Sequence, residues 1–133
     1  MEKLEKAQQC LSKAHQLDNK DPETIEDIGN ILLNKGDIIA ASQWYEKALI
    51  IDNNYAPGLN NLAKLKRQSG ANKEAIDLFK RAIQADPQLI QAYLGAASSL
   101  IALRSLDQAE AVAKKALEYN KSAPGINEIL GII

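Results

Sequence analysis

Ala41-Ser42-Gln43-Trp44-Tyr45-Glu46-Lys47-Ala48 is the stretch on which the fold turns, because its small–aromatic–small spacing returns 34 residues later as Ala75-Ile76-Asp77-Leu78-Phe79-Lys80-Arg81-Ala82. The first alanine recurs as Ala7, Ala41, Ala75 and Ala109, and the second as Ala14, Ala48, Ala82 and Ala116. Between them one register holds Leu11, Tyr45, Phe79 and finally Ala113. A cation precedes the second alanine each time, as Lys13, Lys47, Arg81 and Lys115, and Asp18, Asp52, Asp86 and Asn120 follow it. A period this constant is the mark of stacked supersecondary units, each too small to cover its own apolar face.

The other half of the period repeats as well. Ile28, Leu62, Ala96 and Leu130 share one register, and Gly29, Ala63, Ala97 and Gly131 the next. Ile25, Leu59 and Tyr93 stand three residues ahead of it, and Leu32, Lys66 and Leu100 four residues beyond. Apolar steps of three and four predict two amphipathic helices per period. Gly36 and Gly70 suit the left-handed residue that ends a first helix, and Asp21-Pro22, Ala56-Pro57 and Ala123-Pro124 put proline in the first turn of the next unit. The expected helices lie near 2–18, 22–34, 38–51, 56–68, 72–85, 90–102, 106–119 and 124–133. In a single repeat domain spanning 1–133, residues 22–55, 56–89 and 90–123 are then full units. Residues 1–21 supply a lone second helix and 124–133 a lone first helix. The alanines let neighbouring helices approach closely around the larger side chains.

A 34-residue helix-turn-helix unit with Ala-x3-aromatic-x2-Ala in its second helix resembles the tetratricopeptide repeat. Ile25, Ile28-Gly29, Leu32, Gly36, Ala41, Tyr45 and Ala48 carry the likeness in the first full unit. Leu59, Leu62-Ala63, Gly70, Ala75, Phe79, Ala82 and Pro87 carry it in the second. The third keeps Tyr93, Ala96-Ala97, Leu100, Ala109 and Ala116 but departs at Arg104, where the turn glycine belongs, and at Ala113, where the aromatic belongs. The resemblance implies an all-α fold, a right-handed α-solenoid in which neighbouring units wind into an alpha-alpha superhelix with first helices on the concave side. It also implies a protein–protein interaction scaffold that binds a peptide or partner helix in that groove and is not an enzyme.

By the same resemblance, the groove faces are the first-helix positions that the apolar signature leaves free. These are Glu23, Glu26, Asp27, Asn30, Leu33 and Asn34 in the first full unit, and Asn60, Asn61, Lys64, Arg67 and Gln68 in the second. Gln91, Leu94, Gly95, Ser98, Ile101 and Ala102 follow in the third, with Glu128 and Ile129 in the last helix. Glu26, Asn30, Asn60, Asn61, Lys64, Arg67 and Ser98 are the candidate peptide-binding residues, in a groove running from acidic through amide and basic to largely apolar. The family's clamp for chaperone carboxylate tails needs two amides and three cations. Asn30 and Asn61 match the amides, but Glu26, Gln91 and Gly95 stand where the cations belong, so that reading is rejected. The stretch from Asn60 to Gly70 is similar to units of the protein O-GlcNAc transferase superhelix, whose groove asparagines hold a substrate main chain. An amide offers both donor and acceptor to any peptide unit. The competing reading of these asparagines is a solvated helix face. Glu23, Glu26 and Asp27 equally suit the helix dipole, and Leu94, Ile101 and Ile129 are open to either contact or packing roles.

Composition removes other classes. The 133 residues carry 16 Lys+Arg and 17 Asp+Glu, a net charge of −1 with the histidine neutral, unlike a chain that grips nucleic acid by counterion release. No apolar run reaches the roughly 18 residues of a membrane span, and the charged start, Met1-Glu2-Lys3-Leu4-Glu5-Lys6, is unlike a signal peptide. A cytoplasmic location is the default. Cys10 and His15, the single cysteine and histidine, point to different faces of one expected helix and read as packing residues, with no zinc ligand set and no cofactor expected. Phosphate-cradling glycine loops are missing, and Trp44 beside Tyr45 reads as a packing anchor. The open apolar faces of the two lone helices predict either an excerpt of a longer array or self-association. The alternative function is a substrate-recruiting segment of a multidomain enzyme such as a glycosyltransferase.

Overall fold

Three turns of one geometry set the spacing of the helices in the computed structural model, which describes residues 21–123 and 125–132. The helix expected near 2–18, with Ala7, Cys10, Ala14 and His15, lies outside the described residues, as does Pro124. In the first turn the Gly36 N–H donates to the Leu33 carbonyl (3.0 Å) and the Asp37 N–H to that of Leu32 (3.0 Å). Gly70 and Ala71 repeat the pair onto Arg67 and Lys66, and Arg104 and Ser105 repeat it onto Ile101 and Leu100. This is the paired closure that satisfies the last carbonyls of a helix, and it needs a left-handed residue. Gly36 and Gly70 take φ 87° without cost, while Arg104 is driven to φ 63°, so the departure seen at Arg104 changes the residue and keeps the turn.

Seven helices follow among the described residues: α1 (Pro22–Asn34), α2 (Ile38–Ile51), α3 (Ala56–Gln68), α4 (Asn72–Ala85), α5 (Ile90–Ala102), α6 (Leu106–Tyr119) and α7 (Ile126–Ile132). The first six match the expected ranges. The last begins at Ile126 and not at 124, because Gly125 stands at φ 84°, outside the helical region. The repeated acid after the second alanine is a stop signal. Asp52, Asp86 and Asn120 each cap a second helix in extended conformation. Their side-chain oxygens accept from the N–H of Asn54, Gln88 and Ser122 at 3.0, 3.1 and 3.1 Å. Asn120 performs the same Asx-turn function as the aspartates, because only the carbonyl-type oxygen is used. At the start of α1, Asp21 accepts from the Glu23 N–H (3.1 Å) and the Thr24 hydroxyl (2.6 Å), the capping that orphan N–H groups favour.

The chain divides into two compact units, Met1–Gly58 and Leu59–Ile133, with the boundary inside α3. In the first, α1 packs on α2 around Ile25, Ile28, Ala41, Tyr45 and Ala48, all without solvent exposure. Gly29 is required there, since a Cβ would stand 2.6 Å from Tyr45 Cε1. In the second, α4 packs on α5, α5 on α6, and α7 on both α5 and α6. Its fully buried residues include Leu59, Ala75, Phe79, Ala82, Ala96, Ala97, Ala109, Ala116 and Ile126.

The two departures of the third repeat compensate each other by volume. Gly95 lies over Phe79, where a Cβ would meet Cζ at 2.2 Å. One period on, the aromatic is replaced by Ala113 and the glycine by Ile129, and both sit in the same buried cluster with Tyr93 and Ile126. Large against small has become small against large, which keeps the interior filled. Ile129 is thereby a packing residue and not a groove contact.

Candidate functional site

α1 presents Glu26 and Asn30 one turn apart on one face, and both are already engaged. The Tyr45 ring lies within the core, and its hydroxyl donates to Asn30 Oδ1 at 2.6 Å. Burial, then the charge of Glu26, pushes the Tyr45 phenol up to about 12, so it stays a donor at neutral pH. The Tyr55 hydroxyl donates to Glu26 Oε2. Its pKa is also raised, first by burial and then by the hydrogen bond and charge of Glu26. The phenols hold the acid and the amide in place from the core side.

The second unit is arranged differently. Lys64 and Arg67 lie one turn apart on α3, and Gln91, Leu94, Gly95 and Ser98 fall at the spacing of one helical face on α5. Together these six line a small open cavity of about 80 Å³. Gly95 forms its floor because the Phe79 ring beneath leaves no room for a side chain, and Leu94 forms an apolar wall that also rests near Gly125. Among the described residues neither Lys64 nor Arg67 has an ion-pair partner, and the Ser98 hydroxyl has no hydrogen-bond partner. The adjacent Lys66 turns the other way and meets Glu74 at 3.4 Å.

Of the seven candidates, Lys64, Arg67 and Ser98 are therefore brought together, while Glu26 and Asn30 form a separate pair in the first unit. Asn61 is half-buried on α3 and is engaged by another residue. Asn60 is 6% exposed, and its side-chain oxygen has no hydrogen-bond partner among the described residues. Helix geometry explains the difference: Asn60 lies one position from Asn61, about 100° round the axis, and so turns inward. Tyr45 and Tyr55 were not among the candidates. The available signal was that the unit with a phenol in the aromatic register carries an acceptor amide at Asn30, whereas the unit with Phe79 carries Lys64. Trp44, half-buried on α2, holds the Lys47 ammonium 4.1 Å above its ring. Among the described residues no group of three or more His, Cys, Asp or Glu is placed to hold a metal ion, and no helix is long and apolar enough to cross a membrane.

Helix pairs of constant period, with small residues inside and polar side chains on the first-helix faces, define a repeat protein of the α-solenoid class. Tetratricopeptide-repeat profiles match residues 23–55 and 66–127. The chain is built from tetratricopeptide repeats. No curated protein matches it by sequence. Among solved structures it is similar to MamA, with a TM-score of 0.85 and 19% identity over 97% of this chain and 75% of that one. A tetratricopeptide repeat protein from Parabacteroides merdae gives a TM-score of 0.86 and 21% identity over 97% of this chain and 52% of that one. The first such domain of Spaghetti (RPAP3), bound to the HSP90 peptide SRMEEVD, gives 0.76 and 20% identity over 84% of this chain and 91% of that one.

Proposed function

We propose that this chain is a protein-interaction scaffold that binds a peptide or partner helix on first-helix faces, using Asn61, Lys64, Arg67 and Ser98 in the second unit, with Glu26 and Asn30 as a separate contact surface in the first. The observation that carries this reading is the cavity between α3 and α5. Side chains chosen from register alone, Lys64, Arg67 and Ser98, share it with Gln91 and Leu94. Capture of a peptide by a structurally similar domain, that of Spaghetti (RPAP3), supports the same use of the fold. Holding, not chemistry, suits a site of donors and one apolar wall in which no side chain is paired as nucleophile and base. Protein is favoured over nucleic acid as partner by the net charge of −1.

The likeness of Asn60–Gly70 to the O-GlcNAc transferase superhelix would add substrate recruitment for a catalytic domain carried elsewhere. Asn60 is buried and Asn30 is bonded by Tyr45, which occupies two of the three asparagines that reading relies on, so the plain scaffold is preferred. A peptide array probed with the chain, followed by amide-shift mapping of the strongest hits, tests this function. Shifts should cluster on the cavity faces of α3 and α5, and Asn61→Ala should weaken binding several-fold, as one hydrogen bond is worth about 0.5–1.5 kcal/mol net. Hits that map only to α2, α4 and α6 would refute it.

A further inference from the structure

We infer that the cavity of the second unit selects one acidic side chain of an extended partner segment, together with an aliphatic side chain two positions away. The inference rests on the scaffold reading above and names the chemistry of its ligand. Four observations carry it. Lys64 and Arg67 stand at i and i+3 on α3, where like charges repel, and no described carboxylate neutralises either one. Such a pair is set against itself until an anion arrives, and a single carboxylate between them relieves the repulsion. Ser98 and Gln91 add a hydroxyl and an amide donor on the facing helix, which suits an oxygen ligand.

Leu94 and the Cα surface of Gly95 give the same cavity an apolar part. Glycine there is imposed by Phe79, so the floor is flat. In an extended chain, side chains two apart project to the same side at about 7 Å separation. A segment crossing the cavity therefore delivers an acid to the cations and an aliphatic group to Leu94 from alternate residues. A bare anion would use only half of this surface, and a purely apolar segment would leave two cations uncompensated. A chain terminus is not required, because the acid comes from a side chain within the segment.

The probe is an N-acetylated, C-amidated peptide of glycine and serine with Leu-Ser-Glu at its centre, titrated onto the intact chain at low and high salt. Three control peptides accompany it: one with Glu replaced by Gln, one with Leu replaced by Ser, and the Gln peptide as a free acid. The Leu-Ser-Glu peptide should bind roughly fivefold tighter than its Gln counterpart, with the advantage shrinking at high salt. It should shift amides of α3 and α5 around Lys64 and Ser98. The Lys64→Gln, Arg67→Gln variant, exposed enough to leave folding intact by circular dichroism, should erase that advantage. The Lys64→Glu, Arg67→Glu variant should instead prefer a Leu-Ser-Lys peptide, a reversal that loss of structure does not produce. Equal binding of Glu and Gln peptides, preference for the free acid, no detectable binding, or no reversal in the swapped variant would each overturn the inference. If array hits still map to the first-helix faces without an acidic preference, the scaffold reading stands and only this ligand chemistry falls.

Discussion

The two units use the same helix pair to opposite ends. In the first, the groove-facing residue after the buried glycine is Asn30, and the phenol of Tyr45 crosses the core to bond it. In the second, the corresponding residues are Lys64 and Phe79, and a ring without a hydroxyl leaves the groove side chain unclaimed. Glu26 follows the same pattern. It receives the hydroxyl of Tyr55, whereas the register of Tyr55 is filled by Leu89 in the second unit, and the oxygen of Asn60 in the register of Glu26 has no partner among the described residues. Two phenols thus engage the acid and the amide of one face from within, while their absence leaves the other face with donors for a ligand. Binding capacity in this fold is decided by what reaches the groove from behind as much as by what stands in it.

The sharpest way to break the comparison is to invert the packing beneath the open face. Phe79→Ala should cost about 3–5 kcal/mol, the usual loss for a buried aromatic, measured by urea denaturation. Adding Gly95→Ile should restore a substantial part, because it installs the arrangement that Ala113 and Ile129 already use. Failure of the second change to recover any stability would show that volume alone does not link these repeats.

A smaller effect tests the phenol of the first unit. Tyr45→Phe should lose about 1 kcal/mol while leaving the ring packing in place. It should also change the alkaline response. The unfolded Tyr45 releases its proton near the ordinary value of 10, and the folded one only near about 12. Its contribution is therefore whole below 10 and is lost as pH rises through that window, because the unfolded chain gives up the proton first. Urea midpoints at neutral and alkaline pH should show a shallower decline for Tyr45→Phe, with a residual slope from Tyr55 and Tyr93, whose pKa values are also raised, in both cases chiefly by burial. An unaltered slope would separate the hydroxyl from the stability of that face.

The smallest expected change concerns the turns. Arg104→Gly should raise stability by about 0.5–1 kcal/mol, since relief of a left-handed arginine outweighs the greater freedom of glycine in the unfolded chain. A thermal melt reads this directly. A fall in melting temperature would mean that the arginine side chain contributes more than its backbone costs.

Much of the fold was legible before any coordinates. Ala41, Ala48 and their counterparts marked the helix contacts, and Gly36, Gly70, Asp52 and Asp86 marked the ends, because caps and close contacts depend on local stereochemistry and on a period visible in one dimension. The candidate site was legible in part. Lys64, Arg67 and Ser98 were reachable from register, which fixes the face of a helix to within a residue. Asn60 was not, because a single step round the axis separates an exposed side chain from one that turns inward, and burial depends on what the next helix places over it.

The sequence by itself determined the helices, their turns and the unit that repeats, since each follows from side-chain shape acting within a few residues. Only the tertiary structure decided which polar groups remain available. Whether Asn30 is occupied and Lys64 is free depends on a hydroxyl fifteen positions along the chain in one unit and its absence in the other. Whether Ala113 is a defect or a fit depends on Ile129, brought against it by packing. Those outcomes belong to pairs of residues distant in sequence, and a pair acquires an energy only when the fold sets its separation.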